Sequence, residues 1–465
     1  MKATAGLLIL LLFILSLNLT SLTLGSQVIE VPKDYSRIQL AVNEANPGDV
    51  IRVASGTYNE SVIISKPLNL IGEDPDNTFI ISNKYVIVKV KADNVEIRGF
   101  TVRNGTYGIF LYYCSGALLR NNVMTNNRWN FGIWGDSPSH FVHDIDSSNL
   151  VDGKTLYFWL NQHGKRIPED AGYVALVNCT NVTVEDVILT SNEQGVLLVN
   201  TKYSLIENVT IIGNDEGIAL RASSKNTVRM NNLISINWHA IYCVSSHNNT
   251  FTWNTVRDGS YGVSMLNSDG NMMYHNNFID NGEQLSQMDS SNTWDSGEEG
   301  NHWSDYKGED LDGDGVGDTM LPHLGVDYHP LINIFDETSP KADAGMNQTV
   351  MKNDEVIFDA SGSWDNIEIV DYKWDFGDGS NGLGMATSHV YDVAGLYKVT
   401  LTVTDVSGNI ATDFVWIAVV DASISFPWWI VLPIISGIAV VLVTILWMRR
   451  SSEKGNKKQR KRDEE

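Results

Sequence analysis

A repeat of about 22 to 24 residues between positions 94 and 283 limits what this chain can fold into. Each unit contains short, alternating apolar stretches separated by Asn, Gly and Ser, without helical periodicity. A small residue recurs at the start of one stretch per unit, at Gly108, Gly132, Gly195, Gly217, Ala240 and Gly262. One unit cannot bury its own apolar face, so successive units must stack. The repeat therefore predicts an all-β fold, a parallel β-helix with rungs about 4.8 Å apart.

Stacking places equivalent residues of successive repeats directly above one another. At one corner this predicts a column of asparagines whose amides bond along the stack, formed by Asn122, Asn208, Asn232 and Asn277 and joined by Asp186. These asparagines are interpreted as structural.

A short helix is predicted before the first rungs, where it can cover the open end of the stack. Ser36 is the expected N-cap, and Pro47 with Gly48 ends the pattern. The apolar face of this helix consists of Ile38, Ala41, Val42 and Ala45.

The repeat is interrupted between residues 136 and 171. This segment has a strand-like piece of its own, LYFWL, and is interpreted as an inserted loop or hairpin on one side of the stack. Insertions in repeat arrays often carry binding function.

Both ends of the chain carry apolar segments. Residues 1–25 have the pattern of a secretory signal peptide, with Lys2 followed by an apolar run. Residues 427–448 contain no charge and are long enough to form a transmembrane helix, with tryptophans near its ends and a basic tail at 449–465. These features predict a single-pass protein of the cell membrane with an extracellular N-terminal part and a cytoplasmic tail.

The composition fits an exported protein. With 56 acidic and 33 basic residues, the net charge of −23 argues against nucleic acid as a partner. Acceptor motifs for N-glycosylation occur at Asn59, Asn104, Asn178, Asn181, Asn208, Asn248 and Asn347. The three cysteines, Cys114, Cys179 and Cys243, are too few for a disulfide framework and are expected to be buried thiols.

Three segments resemble a known family. GDVIRVASGTYNESVIISKPLNLIGE, HDIDSSNLVDGKTLYFW and GNHWSDYKGEDLDGDGVGDT are similar to the NosD-like group of right-handed parallel β-helix proteins, of the carbohydrate-binding and sugar-hydrolase class. The resemblance covers residues 27–335. It implies the fold, whereas the group includes polysaccharide enzymes, surface proteins and periplasmic proteins linked to copper delivery.

A second domain is indicated at residues 339–421, where longer alternating strands predict a small antiparallel sandwich. WDFGDGS and SHVYDVAGLYKVTLTVTDVSGN resemble a PKD domain, an immunoglobulin-like module. Trp374 and Tyr397 are expected to be core and corner residues rather than ligand contacts. The resemblance implies a spacer or adhesion module.

The motif DLDGDGVGD is a candidate calcium loop, because carboxylates alternate with glycines that let the backbone curl around a hard cation. The expected ligands are Asp310, Asp312, Asp314 and Asp318, with the carbonyl of Val316. Leu321 stands where a complete EF-hand loop has its bidentate Glu. The alternative is an Asp/Gly turn that binds nothing.

A candidate functional stripe adjoins the repeat glycine. If the rungs are in register, the residues two positions before it are Glu193, Asp215 and Trp238, and those one position before it are Gln194, Glu216, His239 and Tyr261. Three interpretations stay open: a solvated turn, a carbohydrate-binding stripe with Trp238, His239 and Tyr261 as ligand contacts, and a catalytic site. The catalytic candidates are Asp215, Glu216, Glu193 and His239, because glycoside cleavage uses two carboxyl groups roughly 5 to 9 Å apart.

The sequence also contains candidate residues for two further functions, a lyase and copper binding. A lyase needs a base such as Arg221 or Arg229 near a calcium-bound uronate. Copper prefers imidazole or sulfur ligands. The copper candidates are His140 and His143 with Asp144, and His239 with Cys243, none of which has a compact ligand spacing.

The leading hypothesis is a membrane-anchored cell-surface protein whose β-helix binds carbohydrate, a surface glycoprotein or another envelope polymer, with the PKD module as a spacer. The alternatives are a polysaccharide hydrolase or lyase on the same scaffold and a copper-binding protein of the NosD type. Calcium is the expected metal, and copper is a minor alternative.

Overall fold

The computed structural model describes residues 26 to 336 and 338 to 421. It divides into two units, with the boundary between Glu337 and Thr338. The predicted signal peptide, membrane segment and basic tail lie outside the described residues. Within the described ranges, no helix has the length and apolar character needed to cross a bilayer.

The first unit begins with a coil in which three strands make each turn, as the repeat predicts. Its parallel strands belong to three sheets, ordered β1-β2-β5-β8-β11-β14, β4-β7-β10-β13 and β3-β6-β9-β12-β15. We call this part, residues 27 to 151, the first coil. Its elements are helix α1 Ile38–Glu44, the 3-10 turn Pro138–Phe141 and strands β1 Val28–Val31, β2 Val50–Val53, β3 Gly56–Asn59, β4 Val62–Ile64, β5 Asn69–Gly72, β6 Thr78–Ile81, β7 Val86–Val90, β8 Glu96–Arg98, β9 Thr101–Arg103, β10 Tyr107–Tyr112, β11 Leu118–Arg120, β12 Val123–Thr125, β13 Trp129–Trp134, β14 Asp144–Ile145 and β15 Leu150–Val151.

Helix α1 confirms the predicted helix, but its N-terminus is not capped by Ser36. The backbone N–H groups of Ile38 and Gln39 donate to the two carboxylate oxygens of Glu60, each at 2.9 Å. Glu60 lies 22 residues further along the chain, so a side chain from the first rung of the coil supplies the cap. A negative charge at a helix N-terminus also complements the helix dipole.

A tight hairpin at Asp152 and Gly153 reverses the strand direction. Both residues have positive φ, 47° and 79°, as a two-residue hairpin turn requires. Strand β15 pairs antiparallel with β16, and every later strand of this sheet is parallel to β16. The segment interpreted as an insertion is thus partly a continuation of the first coil, through β14 and β15, and partly the start of a second one.

The second coil, residues 154 to 335, again uses three strands per turn. It continues the shared sheet through β16-β17-β20-β23-β26-β29-β32 and adds two sheets ordered β18-β21-β24-β27-β30 and β19-β22-β25-β28-β31-β33. Its strands are β16 Lys154–Leu160, β17 Ala171–Val177, β18 Thr183–Glu185, β19 Ile188–Thr190, β20 Gln194–Val199, β21 Leu205–Glu207, β22 Thr210–Ile212, β23 Glu216–Arg221, β24 Thr227–Arg229, β25 Asn232–Ile234, β26 His239–Val244, β27 Thr250–Thr252, β28 Thr255–Arg257, β29 Tyr261–Leu266, β30 Met272–Tyr274, β31 Asn277–Ile279, β32 Glu283–Met288 and β33 His302–Trp303.

The two coils pack against each other through the shared sheet. Alternate residues of β20 and β23 face opposite sides: Leu198 and Leu220 belong to the core of the second coil, whereas Leu197 and Ala219 belong to the core of the first. Strand β17 is buried along its whole length. These strands are therefore covered on both faces, which explains their continuous apolar sequences.

Asparagine ladders line the coils, but not in the column predicted from the sequence. Side-chain amides bond to one another at 2.8 to 3.0 Å, in the columns Asn226–Asn249–Asn271–Asn292, Asn231–Asn254–Asn276–Asn301 and Asn122–Asn149. Of the predicted members, Asn122 belongs to a ladder. Asn208 instead bonds to Asp186 at 2.8 Å, and Asn232 and Asn277 each follow a ladder residue by one position.

The ladder predicts a large cost for a single truncation. Asn249 accepts hydrogen bonds from both the backbone N–H and the side-chain amide of Asn226, each at 3.0 Å, and donates to Asn271 and to the Ser223 carbonyl. Replacing Asn249 by Ala orphans two buried donors of Asn226, so we expect a loss of about 3 kcal/mol in unfolding free energy. Urea denaturation measures this loss.

The control is Asn83→Ala, at an exposed asparagine of the first coil, which should change the unfolding free energy by less than about 0.5 kcal/mol. Equal midpoints for the two variants would contradict a stabilising ladder.

The second unit is a sandwich of a five-stranded sheet, β34-β40-β39-β36-β37, and a two-stranded sheet, β35-β38. Trp374 is buried, as predicted for a core residue. The hydroxyl of Tyr397 donates to the carbonyl of Val393 at 2.8 Å, a local bond of the tyrosine-corner type. The strands are β34 Gln348–Met351, β35 Glu355–Asp359, β36 Ile369–Asp375, β37 Asn381–Leu383, β38 Ala386–Val390, β39 Gly395–Asp405 and β40 Ile410–Val420.

The cysteines are buried and the candidate glycosylation sites are exposed. Cys114, Cys179 and Cys243 are free and buried, which confirms the prediction of buried thiols. All seven acceptor asparagines are exposed and therefore sterically available for glycosylation.

Candidate functional site at the junction of the two coils

The last strand of one sheet of the first coil, β13, meets the second coil just before β20. The N–H of Asn130 donates to the carbonyl of Ser191 at 2.6 Å, and the N–H of Glu193 donates to the carbonyl of Phe131 at 3.0 Å. We call this region the coil junction: β13 and the outer face of its sheet on one side, and the turns that precede β20, β23 and β26 on the other. The sequence did not reveal that two coils meet here.

The rung register predicted from the repeat is correct. Gln194 lies opposite Glu216, and His239 lies opposite Tyr261. Glu193 and Asp215 occupy the preceding positions on adjacent rungs, where the N–H of Glu216 donates to the carbonyl of Glu193. The candidate residues are therefore neighbours in space, as expected.

The interpretation of these carboxylates as a solvated turn is wrong. The residues Glu193, Asp215 and Glu216 are only 2%, 8% and 0% exposed. They are buried because the first coil covers this edge of the second coil, a contact between parts of the chain that are distant in sequence.

Asp215 is held by groups from both coils. Its carboxylate accepts a hydrogen bond from the side-chain amide of Asn237 at 2.7 Å and one from the hydroxyl of Tyr107, in β10 of the first coil, at 3.4 Å. Arg128, also from the first coil, donates to Asn237 at 2.6 Å. The acid therefore belongs to a network that bridges the two coils.

Glu216 lies deeper, beside the guanidinium group of Arg221. It accepts a hydrogen bond from the Gln194 amide at 3.2 Å, and its other oxygen lies 3.6 Å from Nη2 of Arg221. The guanidinium of Arg221 lies between the rings of Trp134 and Tyr242, 5.2 Å from each centroid. Arg221 was considered from the sequence as a lyase base, and the structure places it among the carboxylates.

Several buried polar atoms of the junction have no hydrogen-bond partner among the described residues. They are Oε2 of Glu193, Oε1 of Glu216, Nε and Nη2 of Arg221, Nδ1 of His239, Nε1 of Trp129 and both amide atoms of Asn214. Buried polar groups are normally paired. Apart from the ion pair of Glu216 with Arg221 and the contact of Glu193 with Tyr107, these groups lack partners within the described part of the chain. Such a concentration is typical of a site that binds solvent or a polar ligand.

Burial shifts the pKa values of these groups. It raises the pKa of Glu193 well above its ordinary value, with further increases from the nearby Glu216 and Asp215 charges. Burial also raises the pKa of Asp215, opposed by its bonds from Asn237 and Tyr107, and that of Glu216, opposed by Arg221. Burial therefore makes the charged forms of these carboxyl groups less favourable than they are in water.

The predicted ligand contacts Trp238, His239 and Tyr261 pack largely on one another. Trp238 stacks on His239 at 4.3 Å between centroids and on Trp134 of the first coil at 5.6 Å. His239 also contacts Tyr261 at 5.2 Å, and burial lowers the pKa of His239 to about 4. These rings help to join the coils, and about a third of Trp238 remains exposed.

An aromatic layer on the first coil was missed from the sequence. Tyr107, Phe110 and Trp129 form a cluster on the outside of the β10 and β13 sheet, separate from the coil interior. Tyr85 extends this layer edge-on to Tyr107, and its side chain is well exposed. The signal was present in TYGIFLYY and RWNFGIW, where aromatic residues surround the repeat glycines.

The junction therefore combines a largely buried aromatic cluster, beside which Tyr85 is exposed to solvent, with carboxyl groups on adjacent rungs. Aromatic faces cover the apolar faces of sugars, and carboxylates accept hydrogen bonds from hydroxyls. Adjacent rungs place carboxyl groups at about the shorter end of the separation used in glycoside cleavage. The arrangement can serve carbohydrate binding or acid-base chemistry.

The candidate calcium loop lies in the same unit. Ligand oxygens of Asp310, Asp312 and Asp314 fall within 4.8 Å of one another. Both oxygens of Asp310 accept backbone N–H bonds from Gly315 and Gly313, which lower its pKa. Asp318 instead accepts the N–H of Leu311 at 2.7 Å.

Val316, the predicted carbonyl ligand, bridges to Leu331 and donates its N–H to Asp314. Hard oxygen donors crowded in this way suit calcium, so the residues present fit the ion.

The other residues considered as copper ligands or as a lyase base form hydrogen bonds or ion pairs with other groups, or are completely buried. His143 is buried, and both of its ring nitrogens face the backbone, at Ala117 N–H and at the His140 carbonyl. Asp144 pairs with Arg120, and the guanidinium of Arg229 lies 2.7 Å from Glu207. Cys243 is completely buried. The metal-capable clusters of three or more groups in the described residues contain neither His nor Cys.

Comparison with known proteins identifies two domains. The family model of the periplasmic copper-binding protein NosD matches residues 160–308, and a PKD domain model matches residues 337–419. Among curated proteins, a cell surface glycoprotein of Methanothermus fervidus is 28% identical over 122 residues, covering 26% of this chain and 21% of its own length. Collagenase ColA of Clostridium perfringens is 34% identical over 129 residues, covering 26% and 12%. The probable ABC transporter binding protein NosD of Pseudomonas aeruginosa is 34% identical over 91 residues, covering 19% and 21%.

Solved structures give weaker likenesses. The PKD1 domain of the Vibrio cholerae metalloprotease PrtV is 36% identical, covering 18% of this chain and 98% of that one, with a TM-score of 0.16. A PL6-family alginate lyase is 14% identical, covering 62% and 50%, with a TM-score of 0.27. Because both TM-scores are below 0.5, neither bears on what this chain binds.

The matched segments span no more than about a fifth of the three curated relatives, so the likeness is one of domains. The strands described above form the β-helix that the first family model implies and the sandwich that the second implies. The chain therefore combines a β-helix, of which residues 160–308 match the NosD family model, with a C-terminal domain that matches the PKD model over residues 337–419.

Proposed function

We propose that this chain is a cell-surface protein whose β-helix binds carbohydrate or another envelope polymer at the coil junction. The observation that carries the proposal is the aromatic layer of the first coil beside buried carboxyl groups with unpaired polar atoms. The similarity to a cell surface glycoprotein and the PKD domain support the location.

Tyr85 provides the sharpest test of binding, because it is the most exposed ring of the aromatic layer, at 66%. Loss of one aromatic contact costs about 1 kcal/mol, so Tyr85→Ala should weaken binding roughly fivefold. Calorimetric titration with a panel of neutral and uronate-containing polysaccharides measures the change.

The matched control is Tyr203→Ala, since Tyr203 is 58% exposed and lies away from the junction, where it contacts Lys225. No binding to any member of the panel, or equal binding by both variants, would contradict recognition at the junction.

The second candidate function is cleavage of a polysaccharide by the same site. It is favoured by two carboxyl groups with raised pKa values, Glu193 and Asp215, on adjacent rungs. Glu193 would be the acid and Asp215 the base or nucleophile, with Glu216, Arg221 and His239 around them.

Turnover in Asp215→Asn should then fall about 10² to 10⁴-fold while binding survives. New reducing ends without unsaturated ends indicate a hydrolase, whereas new reducing ends together with unsaturated non-reducing ends indicate a lyase. Absence of both products across the panel excludes this candidate for those substrates.

Anchoring in a membrane is proposed from the sequence, through residues 427–448 with the basic tail inside the cell. Extraction of membranes with alkaline carbonate should leave the chain in the pellet. Release into the supernatant would contradict an integral anchor.

We also propose that the loop from Asp310 to Asp318 binds calcium, supported by three clustered carboxylates. Titration of the purified chain with calcium should raise its thermal midpoint, because an ion that binds only the folded state stabilises it. The triple variant Asp310→Asn, Asp312→Asn, Asp314→Asn should abolish the rise.

The control for calcium is Asp76→Asn, at an exposed aspartate of the first coil, which should leave the rise intact. The copper alternative rests on the NosD similarity, and the copper content of the purified protein tests it.

A further inference from the structure

The outer face of the five-stranded sheet of the PKD domain carries a cluster of exposed apolar residues beside Lys398, Thr400 and Thr402. The exposed apolar residues are Met351 (49%), Leu396 (66%), Phe414 (48%), Trp416 (38%) and Val420 (42%). We call this set the outer patch. The strand register places them together: Met351 lies opposite Val420, Leu396 opposite Ala418, and Lys398 opposite Trp416.

The inner face of the same strands is already a complete core. Val399, Leu401, Val415 and Ile417 are buried and alternate with the outer residues along β39 and β40. Sheets of this kind usually have one buried and one polar face. The outer patch is thus additional apolar surface, which in a soluble domain marks an interaction site.

The outer patch contains the residue types found at the surface of a bilayer. Trp416 and Phe414 are neighbours in the outer patch, with 6.3 Å between their ring centroids, and the ammonium group of Lys398 lies 4.3 Å from the Phe414 ring centroid. Tryptophan prefers the interface between headgroups and acyl chains, and lysine covers apolar surface while keeping its charge toward water or phosphate.

The course of the chain limits how far the outer patch can be from a membrane. Strand β40 ends at Val420, within the outer patch, and the uncharged segment proposed to span the membrane begins at Pro427. Seven residues extend at most about 25 Å. A membrane anchor there holds the outer patch close to the lipid surface at all times.

We propose that the outer patch of the PKD domain lies against the bilayer in which its own chain is anchored. This inference rests on the proposed anchoring and extends it. The PKD domain would contact the membrane surface directly instead of acting as a free spacer. Contact removes the apolar side chains from water and brings Lys398 to the lipid phosphates.

The experiment places a spin label on the full chain in lipid nanodiscs that hold one copy each. Leu396→Cys labels the outer patch, and Ile357→Cys is the matched control, since both residues are 66% exposed and Ile357 lies on the other sheet, β35. The native cysteines are buried, so the label reacts at the introduced site. Relaxation by oxygen, which concentrates in lipid, is compared with relaxation by a water-soluble nickel chelate.

We expect the oxygen-to-nickel ratio to be several-fold higher at Leu396→Cys than at Ile357→Cys. Equal ratios in a chain that stays with the discs would overturn the docking and leave the anchor intact. Protection of Leu396→Cys from both reagents would show that protein covers the outer patch, and would equally overturn it. Loss of the chain from the discs would refute the anchor itself.

Discussion

Replacement of Leu220 by Asp is expected to unfold the second coil. Leu220 is completely buried and lies between Leu198 and Cys243 on the neighbouring rungs. A carboxylate at this position has no partner in the apolar interior, and the change should cost more than about 4 kcal/mol. Because domains are stable by only about 5 to 15 kcal/mol, circular dichroism melting should show a large fall in midpoint or no folded protein.

The matched control is Ile212→Asp. Ile212 lies on strand β22, which precedes β23 in the sequence, and its side chain is partly exposed to solvent. The introduced carboxylate therefore stays hydrated, and the melting midpoint should change little. Similar melting of the two variants would show that the interior and exterior positions of the rung are assigned wrongly.

Replacement of Glu193 by Gln is expected to change how stability depends on pH. The folded-state pKa of Glu193 is raised by burial and by the Glu216 and Asp215 charges, whereas an unfolded Glu has a pKa of about 4.3. Between these two values the folded state binds more protons than the unfolded state, so stability falls as pH rises. Each proton involved contributes at most about 1.4 kcal/mol per pH unit.

Glu193→Gln removes this titration, so the difference in unfolding free energy between variant and wild type should grow in favour of the variant from about pH 4.3 upward. Burial lowers the pKa values of His143 and His239 to about 4. Below about pH 6.5 these histidines bind more protons in the unfolded state, so they make stability rise with pH. They are present in both proteins and cancel in the difference.

Urea denaturation at a series of pH values measures the effect. Glu283→Gln, at an exposed acid of strand β32 in the shared sheet, is the control and should give a curve parallel to that of wild type. A parallel curve for Glu193→Gln as well would contradict a buried, protonated Glu193.

Much of the fold was predictable because stacking obeys simple periodicities. The repeat glycines gave the correct register for Gln194, Glu216, His239 and Tyr261, and the apolar face of Ile38, Ala41 and Val42 predicted helix α1. Of the predicted asparagine column, Asn122 belongs to a ladder, whereas Asn232 and Asn277 are one residue out of register. Most of the ladder positions follow a residue in left-handed conformation, such as Met230 at φ 55° before Asn231. In a strand, a shift of one residue moves a side chain from the inner to the outer face.

One feature of the fold that the prediction missed, the reversal of strand direction, has a signal in the sequence. Residues 136–171 are interpreted from the sequence as an inserted loop or hairpin on one side of the stack. A hairpin is present at Asp152-Gly153, a strong hairpin motif between two apolar stretches, but it reverses the strand direction and starts a second coil. The cap of α1 by Glu60, in contrast, has no local signal.

The sequence by itself determined the stacked rungs and the position of Trp374 in the core of the PKD domain, because these follow from local alternation between apolar and polar residues. Only the tertiary structure decided the state of Asp215 and Glu216. Beside a glycine in a turn they match any solvated corner, and they are buried because the first coil, with Tyr107, closes over that corner. Burial, and with it the raised pKa, depends on contacts between residues more than a hundred positions apart, which no local pattern encodes.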